Sequence, residues 1–189
     1  MFIQTEATPN PATLKFIPGK PVLASGTLEF RAADEAGSSP LASRLFGVDG
    51  VAGVFLGQDF IAVSKSDPIA WQHLKPAVLG AIMEHFMSGA PVVGTEPAAG
   101  ESAGLGAEDY SSDDQEIVDT IKELIETRVR PAVANDGGDI VFQGFRAGVV
   151  TLHMRGACSG CPSSTATLRN GIENMLKHYV PEVTEVRAA

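Results

Sequence analysis

Residues 2–6, FIQTE, alternate apolar and polar positions. TPNPA interrupts the alternation, and TLKFI resumes it at 13–17. A period of two on both sides of a proline-rich break predicts a β-hairpin. Ser39-Pro40 then sets an N-capping side chain ahead of a proline at the first helical position. LASRLF (41–46) therefore reads as a short helix, stopped at Gly47. GVAGVFLGQDFIAVSK (50–65) holds two β-rich runs around Gly57-Gln58-Asp59, a second hairpin. Asp67-Pro68 repeats the cap-plus-proline arrangement and predicts the start of a longer helix. Its apolar positions Leu74, Val78, Ile82 and Phe86 recur every four residues, Pro76 bends it, and Gly89 closes it. The expectation is an antiparallel sheet with helices on one face.

The same grammar recurs near the other end. Ser112 and Gln115 have the spacing of a capping box. Ile117, Ile121, Leu124, Ile125 and Val129 then fall on one helical face. Pro131 perturbs the end of this helix, and Asn135-Asp136-Gly137-Gly138 stops it. DIVFQGF and GVVTLHM form a hairpin turning at Arg146-Ala147-Gly148. In its second strand Val150, Leu152 and Met154 share one face, and Val149, Thr151 and His153 the other. After a short loop, Pro162 starts a final helix with Leu168, Ile172, Met175, Leu176 and Tyr179 on its inner face. A last strand, VTEV (183–186), follows Pro181. The order is αββαβ, so the fold class expected for the whole chain is α+β. Two small domains each carry a small, mostly antiparallel sheet with helices on one face.

Composition divides the chain between these patterns. Residues 91–113 are rich in Gly, Ala, Pro and Ser, hold five acids and no base, and show no period. Too little apolar surface is present there to offset the entropy of ordering it. The expected domains are 1–90, a flexible acidic linker at 91–113, and 114–189. A flexible linker of that length spans roughly 26 Å root-mean-square. The net charge of −9 over 189 residues argues against a broad basic surface for nucleic acid or anionic lipid. No apolar run approaches a membrane span, and the first residues do not read as a secretory signal. The compartment expected is a reducing one: bacterial cytoplasm, or the mitochondrial matrix if this is a processed form.

The only two cysteines lie three positions apart in GACSGCPSST (156–165), between a strand and a proline-started helix. Amides and dipole at a helix N-terminus favour thiolate, so both cysteines are expected to have lowered pKa values. Three readings compete. The pair could be small residues in a turn. It could be a redox dithiol, although a thioredoxin-type motif has its proline between the cysteines, where this chain has Ser159-Gly160. It could hold a metal, which needs about four ligands. The histidines are scattered at 73, 85, 153 and 178. His153 is the nearest candidate, but an ordinary strand histidine is the simpler reading. Two copies of the chain, each giving Cys158 and Cys161, would make a closed four-thiolate site about a two-fold axis. Gly137-Gly138 is read as a helix stop and turn rather than a support for the cysteine loop. Asp136 and Asp139 are read as turn and capping groups rather than ligands. Trp71, the single tryptophan, is read as core or partner surface.

These residues carry a family resemblance. VRPAVANDGGDIVFQGF and GVVTLHMRGACSGCPSSTATLRNGIENML closely resemble the NifU-like C-terminal domain, over about 114–186. MFIQTEATPNPATLKFIPG, SPLASRLF, GVAGVFLGQDFIAVSK, LKP and HFMSGAPV resemble the Nfu N-terminal domain, over about 1–90. The resemblance implies an iron–sulfur cluster carrier or late scaffold, not an enzyme in the turnover sense. It implies a [4Fe-4S] cluster, or a [2Fe-2S] one, bound by Cys158 and Cys161 and shared by two chains. The implied partners are a second copy, an upstream cluster donor and apo-protein clients, with no nucleic acid and no membrane. The first module, which has no cysteine, is expected to serve interaction or regulation. The alternatives are a dithiol–disulfide oxidoreductase and a zinc-bridged structural dimer.

Overall fold

The computed structural model describes residues 1–94, 112–159 and 162–189. They fall into two compact units, within Met1–Ser102 and Ala103–Ala189. Of the expected linker, 95–111 lie outside the described residues, as do Gly160 and Cys161.

In the first unit the two expected hairpins form. Strands β1 (Gln4–Ala7) and β2 (Thr13–Ile17) pair antiparallel, as do β4 (Val51–Leu56) and β5 (Ile61–Lys65). A short strand, β3 (Leu28–Phe30), joins the edge to give the order β1-β2-β5-β4-β3. Three residues are too few for an alternation to register in sequence, so β3 was not among the expected elements. Helix α1 (Pro40–Phe46) starts as expected: Ser39 Oγ accepts the Ala42 amide at 3.1 Å. Helix α2 (Trp71–Ser88) ends on left-handed Gly89 but does not start at Asp67-Pro68. Residues 66–69 close a hydrogen-bonded turn, Ile69 N–H to Ser66 C=O at 3.1 Å. That turn uses the proline, and the helix begins only after it. Phe16, Leu41, Leu45, Leu56, Ile61 and Ile82 fill the core of this unit.

In the second unit α3 (Ser112–Leu124) continues through a π-helical turn, Ile125–Val129, into α4 (Arg130–Asn135). Pro131 lacks an N–H and its ring crowds the preceding turn, which widens to admit it. Gln115 Nε2 donates to Asp119 Oδ1 at 2.9 Å, one turn on; the Ser112 side chain, the other half of the expected capping box, lies outside the described residues. Strands β6 (Gly138–Arg146) and β7 (Val149–Gly156) pair antiparallel. Helix α5 (Pro162–Tyr179) then crosses over to β8 (Glu185–Ala188), which lies parallel to β7. The last strand is shifted two residues from the expected 183–186. Thr184 is drawn into the turn by its amide, which donates to Gly148 C=O at 2.7 Å.

The core of the second unit includes Ile121, Ile125, Ile140, Val150, Leu152, Ile172, Leu176 and Cys158. Tyr179 was expected on the inner face of α5, but it is exposed and Val180 is buried in its place. The tyrosine ring lies 4.9 Å below the Arg128 guanidinium, which holds it outside the core.

Candidate metal centre

Strand β7 delivers the chain to the cysteine loop. Val150, Leu152 and Met154 face the core, which puts His153 on the opposite face, across from Val141 on β6. Gly156 then turns the chain with φ of 67°. Both the amide and the hydroxyl of Ser159 donate back to Gly156 C=O, at 3.1 and 2.9 Å. The Ala157 amide donates to Gly137 C=O at 3.2 Å, and Thr165 Oγ1 on α5 donates to Cys158 C=O at 2.8 Å. These bonds pin Cys158 between the start of β6 and the first turns of α5.

Cys158 is 6% exposed and belongs to the core of its unit. Its thiol is pushed up to about 11, by burial first and then by the nearby carboxylates of Asp136 and Asp139. This reverses the expectation of a lowered pKa for Cys158. Removing the sulfur from water and setting two negative charges beside it both disfavour thiolate, and they outweigh the helix-terminal field.

Gly137 and Gly138 divide the roles weighed for the pair. Gly137 has φ of 78°, as a turn requires. Gly138 instead provides room: a Cβ there would stand 2.7 Å from Arg155 O and 2.8 Å from Cys158 Sγ. Its reading as a mere turn residue is therefore corrected. Asp139 is also more than a capping group. It is 3% exposed, and Arg130 grips both its oxygens, Nε to Oδ1 at 2.8 Å and Nη2 to Oδ2 at 2.9 Å. Arg130 was missed in sequence. The signal available was an acid at the buried start of a strand, which needs a cation nearby.

Cys161 lies outside the described residues, so the geometry of the expected pair is not described. Among the described residues, no group of three or more His, Cys, Asp or Glu side chains is placed to hold a metal ion. Trp71 is half-buried at the edge of the first core, and its Nε1 donates to Pro11 C=O at 3.0 Å, tying α2 to the first hairpin. Among the described residues, no helix is long and apolar enough to cross a membrane.

Residues 3–89 match the family model described as scaffold protein Nfu/NifU N terminal, and residues 121–187 match that of the NifU-like domain. The chain is 51% identical over 189 residues to NifU-like protein 4, mitochondrial, of Arabidopsis thaliana, covering 98% of this chain and 65% of the relative. It is 50% identical over 187 residues to the human NFU1 iron-sulfur cluster scaffold homolog, mitochondrial, covering 98% of this chain and 71% of the relative. A NifU-like protein of Saccharomyces cerevisiae, solved by NMR, is similar with a TM-score of 0.46 and 27% identity. That match covers 51% of this chain and 87% of the yeast one. The chain thus spans about two-thirds of the length of the curated relatives it matches. With both domain models matched in order and half of all residues shared along nearly the whole chain, this protein belongs to the Nfu/NifU-like family.

Proposed function

We propose that this chain is an iron–sulfur cluster carrier or scaffold, in which Cys158 and Cys161 of two chains together hold one [4Fe-4S] cluster for delivery to apo-proteins. The observation that carries the reading is a half-site. One strand-to-helix loop brings Cys158, with Cys161 three positions on. The described residues around it offer no further ligand set, and His153 stands on the far face of the sheet. Two thiols need two more, and a second copy supplies them with one symmetry operation. The printed names of the relatives, which refer to iron–sulfur cluster scaffolding, support the same reading.

The chemistry asked of the protein is ligand exchange. Each iron–sulfur bond to a carrier cysteine breaks as a bond to an incoming client thiolate forms. Charge and electrons are conserved, and no oxidant is consumed. A cluster shared by two loops is reachable by a client, whereas a closed one-chain cage would hold it back. The domain division follows the same logic: 114–189 carries the cluster, 1–90 serves interaction, and 91–113 tethers them. The relatives' names refer to mitochondria, which supports the matrix rather than the bacterial cytoplasm.

Anaerobic reconstitution with iron and sulfide tests the reading. The expected product is a dimer with about two irons per chain and the absorption and Mössbauer spectra of a [4Fe-4S] cluster. A wild-type chain that binds no cluster and cycles between dithiol and disulfide is instead an oxidoreductase. One that binds only zinc is a structural dimer.

A further inference from the structure

The core of the second unit forms on one face of its sheet, the face of Ile140, Val150, Leu152 and Met154. The strand register puts Asp139 and Val141 of β6, Thr151, His153 and Arg155 of β7, and Arg187 of β8 on the other. Within the unit this second face stays partly open to solvent. Val141, Thr151, His153 and Arg155 are half-buried, and Arg187 is exposed.

The chain carries a net charge of −9, yet this face holds spare positive charge. Its carboxylates are already engaged. Arg130 forks Asp139, and Arg187 Nε stands 2.8 Å from Glu185 Oε1. Arg155 lies opposite Asp139 in register and makes no ion pair among the described residues. A guanidinium with no carboxylate of its own offers a planar two-point fork to one brought by a partner.

Position ties the face to the cysteine loop. Strand β7 ends at Gly156, just ahead of Cys158. The Arg155 carbonyl oxygen and the Cys158 sulfur flank the same glycine: a Cβ built on Gly138 would stand 2.7 Å from one and 2.8 Å from the other. A protein seated on this face is therefore held beside the loop that carries the cysteine.

We propose that the open face of the β6-β7-β8 sheet is the docking surface for the client, anchored by Arg155, and that it takes a protein whose own cysteines lie beside an acidic segment. This rests on the carrier reading above and names the surface that brings a client to the site. Arg155 forks a carboxylate of the client, and Val141 and Thr151 give its neighbouring apolar groups a floor. Thiolate exchange is the same reaction with every acceptor, so the charge around the acceptor's cysteines is what this face selects. Acceptors with neutral or basic surroundings lack the hold.

The test titrates the 15N-labelled full-length chain, free of cluster and at low ionic strength, with two synthetic peptides. One is rich in Asp and Glu; the other has Asn and Gln in their places. The acidic peptide is expected to shift the amide signals of Val141, Thr151 and Arg155 and none in the first unit, and the shifts fade as salt is added. Arg155→Gln weakens binding roughly 2- to 5-fold, and Arg155→Glu weakens it further. Lys20→Glu, which changes the net charge as much as Arg155→Glu but lies in the first unit, binds like its parent. Melting curves establish that the variants are folded; where Arg155→Glu is not, Arg155→Gln carries the comparison. Equal shifts with the two peptides overturn the proposal, and so does an Arg155→Gln chain that binds the acidic one as tightly as its parent. The same signals moving on dilution of the chain alone assign the face to a second copy, which also overturns it. A chain that binds the acidic peptide through Arg155 but takes up no cluster from iron and sulfide overturns the carrier reading instead and leaves the docking face standing.

Discussion

Arg130 clasps Asp139 across nine residues with a two-point fork, its Nε and Nη2 each donating to one carboxylate oxygen at 2.8 and 2.9 Å. The carboxylate is nearly sealed from water, with its side chain 4% exposed, and Glu126 steadies the guanidinium from the other side at 2.7 Å. The pair ties α4 to the first residues of β6, next to the glycine on which Cys158 rests. A planar fork does this where a point charge does not.

Arg130→Ala should therefore destabilise the second unit by about 2–4 kcal/mol, because it strips the main counter-charge from a buried carboxylate. Arg130→Lys should recover only part of the loss. Hydrogen exchange of β6 and β7 amides reads the effect directly. If Arg130→Ala and Arg130→Lys exchange like the parent chain, the fork contributes nothing.

His85 lies fully buried on α2, and among the described residues neither ring nitrogen makes a hydrogen bond of good geometry. Burial lowers its pKa from the usual 6.5, Arg44 on α1 adds to the lowering, and the Ala90 backbone opposes both. Arg44 is itself paired with Glu84 at 2.7 Å. The folded pKa lies below the unfolded one, so the unfolded chain binds the proton more readily. Stability of the first unit is then present above pH 6.5 and lost as pH falls below it. Denaturation followed by Trp71 fluorescence should show a midpoint that drops from pH 7 to pH 5. His85→Leu should flatten that drop; an equal slope in the variant would assign it to other groups.

The turn between β6 and β7 places Ala147 at φ of 50° and Gly148 at φ of 80°. Both positions are left-handed, the pattern of a type I′ hairpin turn, in which asparagine leads and glycine follows. Ala147→Asn should stabilise the second unit by up to about 1 kcal/mol by relieving a strained alanine. Gly148→Ala should cost about 1–3 kcal/mol, since its φ is unfavourable and its Cβ would meet Thr184 Oγ1 at 2.7 Å. Urea midpoints that move in the same direction for both variants would refute the assignment.

Cys158→Ala and Cys161→Ala should each abolish both the cluster and the cluster-dependent dimer, seen as loss of iron and a return to the smaller species on gel filtration. His153→Ala should leave iron content within error of the parent chain. A cysteine variant that keeps a full cluster, or a histidine variant that loses one, would place a ligand elsewhere.

Periodicity carried the two hairpins of the first unit, the αββαβ order of the second and most core positions, because those patterns are local. Val150, Leu152 and Met154 are buried as their alternation required. Capping was legible at Ser39, where the side chain reaches its own helix, and misleading at Asp67, which had a competing local use in a turn that closes before α2. Tyr179 went wrong for a related reason, since its helical position does not reveal that Arg128 offers its ring a partner outside the core.

For the site, the sequence by itself determined the cysteine pair, its strand-to-helix setting and the shortage of further ligands, all of which are matters of spacing and count. Tertiary structure decided the environment of Cys158. The thiol is neutral and covered because Gly138, Asp136 and Asp139 arrive beside it from the end of α4 and the start of β6. A helix terminus is a local feature and argues for thiolate. Burial and neighbouring charge are long-range features, and at this cysteine they are the stronger.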